Sequence, residues 1–424
     1  MNQSDKMQLK KNIDIILFTL SKWDSDISSP SLAIAKEFSI NNRVFYINHP
    51  YSFKDFIPSF FDKRIKNRVR PLLFGKDIYD NIPGFEKNLI GITPKLTWPI
   101  NFLSQGRLYT FFSKLNDRII ANCIKKVISD NSISDFIYLN CFDPYFLREL
   151  PSDIQPKLKI YQSMDDITQE TYSVKHGARL ENEIVGKFDL TLTTSKELQR
   201  LKLESSPHVY YHPNAVDLTL FLSAHDENIV APKDWLFKGQ KTIGYVGAIE
   251  SRVDYELLFK IASENKDKIL VLIGPIVTNE YKEYKLDKLD NVVFLGQKRI
   301  DELPAYLKFI DIALIPFKKN TLTRSIYPLK INEYLAAGKS VVATDFSEDI
   351  VSFEDVIYIG RDYQDFLDKI NLAISENNQT RIINRVEVAK MNTWTARVEE
   401  FWNILDRHLV LMDNENFDES LNKD

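Results

Sequence analysis

The stretch YPLKINEYLAAGKSVVAT, residues 327–344, places a lysine in the first turn of a helix and a glutamate one turn later. Pro328 suits the first helical position, Gly338 suits the position just past the end, and SVVAT reads as a buried strand. Acids are expected in the first turn, where the helix macrodipole is positive, so Lys330 sits against the field and a bound anion would resolve the conflict. One alternative is a surface ion pair between Lys330 and Glu333, in the less favourable order and contributing about 0.3 kcal/mol. The functional reading gives a phosphate to the helix amino terminus and to Lys330, while Glu333 accepts hydrogen bonds from vicinal hydroxyls. A nucleoside diphosphate offers both groups.

Outward from this stretch, short apolar runs alternate with helical patterns. DIILFTL (14–20), RVFYIN (43–48), NLIGIT (88–93), DFIYLN (135–140), KLKIYQS (157–163), FDLTLTTS (188–195) and HVYYHP (208–213) form a first series. After a stretch containing Pro, Lys and Gly the rhythm restarts with KTIGYVG (241–247), KILVLIG (268–274), NVVFLG (291–296), DIALIPF (311–317), SVVAT (340–344) and DVIYIG (355–360). This is the pattern of α/β architecture with two doubly wound Rossmann-like domains. Ligands of such sheets bind at the carboxyl ends of the strands, so two domains facing each other imply a cleft. The expected boundaries are 1–217 for an acceptor-binding domain and 218–391 for a nucleotide-binding one. Residues 392–412 read as an amphipathic helix and 413–424 as an acidic disordered tail.

Composition sets the outer limits. The chain has 424 residues, 44% of them apolar, enough for two cores. Its formal charge is −4, and the acidic tail accounts for it, so nothing global suggests nucleic acid. Cys123 and Cys141, the only cysteines, support neither a disulfide framework nor a cysteine zinc site, and a reducing cytoplasm is expected. No apolar run reaches the length of a membrane span, so any membrane contact is expected to be peripheral, at the inner membrane face. His208 and His212 share one face of a strand without further ligands nearby, and no metal site is expected.

The residues of KINEYLAAGKSVVAT, together with HPNAVDLTLF (212–221), resemble the retaining glycosyltransferases of family 4 type (glycosyl transferases group 1), which have the GT-B fold. The resemblance covers most of the chain and is strongest from about 189 to 345. It implies a hexosyltransferase-like enzyme of cell-surface glycan biosynthesis. A nucleoside diphosphate sugar would serve as donor, with no permanently bound cofactor, and a polysaccharide or lipid-linked glycan as acceptor, with retention at the transferred carbon. Glu333 would bind the ribose hydroxyls and Lys330 the diphosphate. The family's first signature glutamate falls where this chain has Ser325. Gly247, at the end of the first strand of the second domain, would let a phosphate approach the backbone, and Arg252 follows in the loop where the family often places a basic residue. The resemblance also implies that the last helix returns to the first domain.

The first domain departs further from the family. Trp23, Asp24 and Asp26 stand where members commonly carry a glycine-rich loop, and are read as acceptor-binding or capping residues rather than as a DXD metal triplet. Asp165 and Asp166, in IYQSMDDITQE, stand where many members carry a histidine. They are read as candidates for accepting an acceptor proton or steadying a cationic centre, with helix capping as the alternative. Lys63, Arg64, Lys66, Arg68 and Arg70, beside Phe60, Phe61, Leu72 and Phe74, form either a solvated face or a contact with anionic lipid. Two other readings are a sugar-nucleotide epimerase of the same architecture, which would need a constellation of cleft acids and histidines and is opposed by the six histidines of this chain being so few, and a degenerate sugar-nucleotide binder without transferase activity.

Overall fold

The computed structural model describes residues 13–421 except 26–28, 59–60, 86, 169–174 and 238, with side chains up to residue 414. The chain divides into two compact units, each with one parallel sheet. The first holds residues 1–194, 198–212 and 398–424; the second holds 195–197 and 213–397.

In the first unit the strands are β1 (Asp14–Thr19), β2 (Val44–Ile47), β3 (Tyr79–Asn81), β4 (Leu89–Ile92), β5 (Phe136–Cys141), β6 (Leu158–Ser163), β7 (Leu190–Thr193) and β8 (Val209–Tyr211). Their spatial order is β3-β4-β2-β1-β5-β6-β7-β8, and all neighbours are parallel except β3 with β4. Both faces of such a sheet are covered by helices, so its strands are continuous apolar runs; every residue of β1, β2 and β5 is buried. The antiparallel β3 was not read from the sequence, because YDN is short, polar and largely exposed.

The second unit has β9 (Lys241–Val246), β10 (Lys268–Ile273), β11 (Val292–Gly296), β12 (Ile312–Ile315), β13 (Ser340–Thr344) and β14 (Tyr358–Gly360). The order β11-β10-β9-β12-β13-β14 is all parallel and doubly wound, with the reversal of direction between β9 and β12. Its core is built from these strands and the helices that cover them, including Leu257, Ile261, Ile331 and Leu335.

Three boundaries differ from the sequence reading. The chain leaves the first unit at His212 rather than at 217, because Asn214 O accepts from Asn332 Nδ2 and Val216 bridges Thr393, both in the second unit. It re-enters the first unit at Val398 rather than at 392, since Arg397 Nε still donates to Pro213 O. The last helix spans Trp394–Leu421, so residues 413–421 continue it where a disordered tail was expected; no Gly or Pro interrupts that sequence. Within the first unit Phe401 and Trp402 of this helix pack on Phe38, with ring centroids 4.8 and 6.1 Å away.

Candidate functional site

Helix Leu329–Ala336 begins one residue later than read, with Pro328 as its N-cap rather than its first residue. Proline offers no capping side chain, and there is no acid in the first turn, so the amino-terminal N–H groups of this helix have no side-chain acceptor. Tyr334 pins the helix to the end of β9: its hydroxyl accepts from Val246 N at 2.9 Å and lies 3.3 Å from Val246 O. Asn332 fixes the other flank by donating to Tyr327 Oη at 2.9 Å.

Lys330 and Glu333 leave this helix without pairing. No ion pair or hydrogen bond joins either side chain to a partner among the described residues, which sets aside the surface ion pair as a reading. Glu333 is buried, and burial raises its carboxyl above the usual range, with Lys330 pulling the other way. Burial likewise lowers the Lys330 ammonium, opposed by Glu333 and Glu250 and reinforced by Arg252. Two opposite charges, each desolvated and neither neutralised by contact, are poised for a ligand that supplies an anion to one and hydroxyls to the other.

The floor of this site is the carboxyl edge of the sheet. Gly247 N donates to Ile273 O at 2.8 Å, and Gly274 N donates to Gly296 O at 2.9 Å, so the first three strands end in linked turns. A Cβ at Gly247 would fall 2.0 Å from Lys330 Cε and 2.8 Å from Tyr245 Oη, and Gly247 has φ +156°. The missing side chain is what lets Lys330 lie across the strand end, 5.9 Å from the centroid of the Tyr245 ring. Arg252 follows in the same loop, paired with Glu250 at 2.7 Å. Asp254 caps helix Tyr255–Glu264 by accepting from Leu257 N. Ser325 is buried, and its hydroxyl has no hydrogen-bond partner among the described residues.

A separate cavity of about 690 Å³ opens at the ends of β12, β13 and β14, lined by Asp254, Phe317, Lys318, Thr344 and Tyr363 among others, but not by Lys330 or Glu333. Lys318 is held by Glu280, and Lys319 by Asp345.

Residues 240–376 match the family described as Glycosyl transferases group 1. That stretch lies within the second unit. Over 208 residues the chain is 27% identical to the putative teichuronic acid biosynthesis glycosyltransferase TuaH of Bacillus subtilis (strain 168), a match covering 47% of this chain. The chain spans about half the length of that curated relative, 51%. Among solved structures it resembles sucrose-phosphate synthase from Thermosynechococcus elongatus, with a TM-score of 0.66, 14% identity, and 94% of this chain and 100% of that one covered. It also resembles Anabaena HepE in complex with UDP and glucose, with a TM-score of 0.57, 14% identity, and coverage of 92% and 99%. These likenesses establish the fold as GT-B. Gly247, Arg252, Ser325, Lys330 and Glu333 all lie within the stretch matched to the group 1 domain.

The first unit places the remaining candidates after its parallel strands, on the carboxyl edge. Trp23 and Asp24 follow β1; Asp26 lies outside the described residues. Asp24 is engaged by Arg68 at 2.7 Å, and Arg68 also reaches Asp80 at 3.2 Å and lies 5.4 Å from the Trp23 ring. Arg68 is therefore a buried clamp between loops rather than a contact for lipid, and Leu72 is buried in a small core with Ile65 and Leu96. Lys63, Arg64 and Lys66 are exposed; Arg70 is exposed and paired with Asp77, and Phe60 lies outside the described residues. Asp165 and Asp166 follow β6, where Asp166 Oδ1 accepts from both N and Oγ1 of Thr168 in a turn; no helix cap involves either residue among the described residues.

Among the pairs in this unit that sequence reading missed are His49 and Asp143, which are 94 residues apart and meet at 2.7 Å.

Proposed function

We propose that this chain transfers a sugar from a nucleoside diphosphate sugar to a polysaccharide or lipid-linked acceptor in cell-surface glycan assembly, with retention. One observation carries the reading: Lys330 and Glu333, desolvated and unpaired, stand one turn apart at an uncapped helix amino terminus beside Gly247. The amino terminus and Lys330 receive the diphosphate, Arg252 adds charge from the loop, and Glu333 accepts from the ribose hydroxyls. The names of TuaH and of the HepE complex with UDP and glucose support the reaction class and the donor class. The donor sugar falls to Ser325 or to the backbone, since a serine stands where the family resemblance places its first glutamate.

No metal enters the proposal. The Asp24 carboxylate is committed to Arg68, so transfer is expected to persist in excess EDTA. The protein works in the cytoplasm, docked at the inner membrane face through Lys63, Arg64 and Lys66 beside the exposed Phe61 and Phe74. No helix among the described residues is long and apolar enough to cross a membrane.

The test is a thermal-shift screen with UDP, GDP, ADP and their common sugars, followed by donor turnover with and without added glycans. A ligand at 100 times its dissociation constant stabilises the protein by about 2.7 kcal/mol. Glu333→Ala is expected to weaken nucleoside diphosphate binding and to abolish transfer while the fold persists; unchanged diphosphate affinity in calorimetry would remove this site. Donor binding with neither transfer nor donor hydrolysis would instead describe a sugar-nucleotide binder.

A further inference from the structure

His49 lies two residues past the end of β2, and Asp143 two past the end of β5, and β1 runs between these strands. Parallel pairing on both sides of β1 brings the two loops to one edge. His49 Nδ1 is 2.7 Å from Asp143 Oδ2. A carboxylate only accepts, so Nδ1 carries the hydrogen, and in the neutral form of the ring the lone pair falls on Nε2. Nε2 has no partner among the described residues, and the His49 side chain remains 20% exposed, whereas that of Asp143 is fully buried.

The surroundings hold this pair in place. Asp143 Oδ1 accepts from Tyr145 N at 3.2 Å, and the Asn140 side chain bonds both N and O of Asp143. The loop is held against backbone preference: Phe142 has φ +62° and Leu147 has φ +48°, and Asp117 accepts from Leu147 N at 2.8 Å. Bulky residues at positive φ persist only where the surroundings over-determine them. The Phe146 ring meets the imidazole edge-on, with centroids 5.7 Å apart. On the neighbouring loop, Trp23 N donates to Asn48 Oδ1, which ties that loop to the residue before His49, while the half-buried indole itself lies against Arg68 and Asp80.

The pair fixes one ring nitrogen and leaves the other open to an incoming hydroxyl. We propose that this pair is an acceptor-binding site, in which His49 Nε2 accepts a hydrogen bond from a hydroxyl of the acceptor glycan and Asp143 is the residue that positions the ring. The ligand class is a pyranoside. One hydroxyl meets a directed lone pair on the partly exposed imidazole. The inference rests on the transferase reading, but its residues lie in the first unit and the donor site lies in the second, so the two fail separately.

The experiment uses the full chain with UDP-, GDP- and ADP-sugars as donors and n-octyl glycosides of the common hexoses and N-acetylhexosamines as acceptor probes. The nitrogen resonances of ¹⁵N-histidine-labelled protein are followed during titration, with His49 assigned by its loss in His49→Gln. The expected result is a shift of the His49 Nε2 resonance with at least one glycoside, and an apparent acceptor KM raised tenfold or more in His49→Ala and His49→Gln with donor affinity unchanged. Asp143→Asn, whose amide can donate to Nδ1, is expected to move the hydrogen to Nε2, a tautomer signature that loss of a merely structural contact would not give. If no glycoside moves the Nε2 resonance, or if both His49 variants keep the wild-type acceptor KM, the proposal is overturned. Failure of every nucleotide to bind would instead overturn the donor reading.

Discussion

Gly247 and Lys330 share a space that only glycine leaves open: a side chain at 247 would begin 2.0 Å from Lys330 Cε. The closest clash is with the far end of a flexible chain, so Gly247→Ala is expected to expel the lysine from the strand end, with the unit still folded but strained at φ +156°. The loss of a charge-assisted contact of about 1.5–3 kcal/mol would weaken nucleoside diphosphate binding roughly tenfold or more, read by calorimetry. Gly274 provides the contrast. Its Cβ would fall 2.0 Å from Gly247 O, which is backbone, so Gly274→Ala is expected to lower the thermal midpoint as well as the affinity.

Burial lowers the Lys330 ammonium below its usual 10.5, so the free protein loses this charge at a pH where an exposed lysine keeps it. A bound diphosphate favours the charged form. Binding is therefore expected to take up a proton in the alkaline range, and affinity is expected to fall as pH rises through the lowered value towards 10.5. Calorimetry in two buffers of different ionisation enthalpy measures the uptake. Lys330→Met should bind more weakly at neutral pH and lose that part of the alkaline dependence; an unchanged uptake in that variant would place the titrating group elsewhere.

The first unit contains a buried acid that no pattern in the sequence announced. Glu181 is fully buried and receives Lys202 Nζ at 2.5 Å, Ser163 Oγ at 2.7 Å and Tyr161 Oη at 3.1 Å. Removing one partner of such a pair leaves the other charge buried and uncompensated, at a cost of about 3–5 kcal/mol. Glu181→Ala should lower the stability of the first unit by that order in urea unfolding. Nucleoside diphosphate binding in the second unit should survive at denaturant concentrations below the transition.

What could be read from the sequence followed physical rules. Strands buried on both faces are apolar along their length, so β1, β5, β9 and β12 were visible as runs, and their alternation with helices gave the doubly wound sheets. Lys330 and Glu333 were visible because they share one helix and one of them opposes its dipole. The pairs Glu181–Lys202, Arg68–Asp24 and His49–Asp143 were not, because sheet topology rather than local spacing makes them neighbours. The same limit explains the basic stretch. Five positive charges between 63 and 70 suggested one surface, but Arg68 turns inward to acids 44 and 12 residues away.

That correction sharpens the membrane prediction. Lys63, Arg64 and Lys66 lie on the short helix Lys63–Asn67, whose Ile65 is buried, and Phe61 and Phe74 are exposed by 82% and 65%. Each basic residue near an anionic surface contributes about 1 kcal/mol, and aromatic rings favour the interfacial region. The protein is expected to sediment with vesicles rich in anionic lipid. Binding should weaken as salt shortens the Debye length from about 10 Å at 0.1 M to about 3 Å at 1 M. Replacing Lys63, Arg64 and Lys66 by Gln should release it while leaving nucleoside diphosphate binding intact, whereas Arg68→Gln should destabilise the first unit, since it leaves the half-buried Asp24 and Asp80 without their cation. Phe61→Ser with Phe74→Ser should reduce binding at both salt concentrations, because apolar insertion is not screened. Equal pelleting of wild type and the triple variant at low salt, or no pelleting of either, would leave the exposed lysines as a solvated face and point to an acceptor taken from solution.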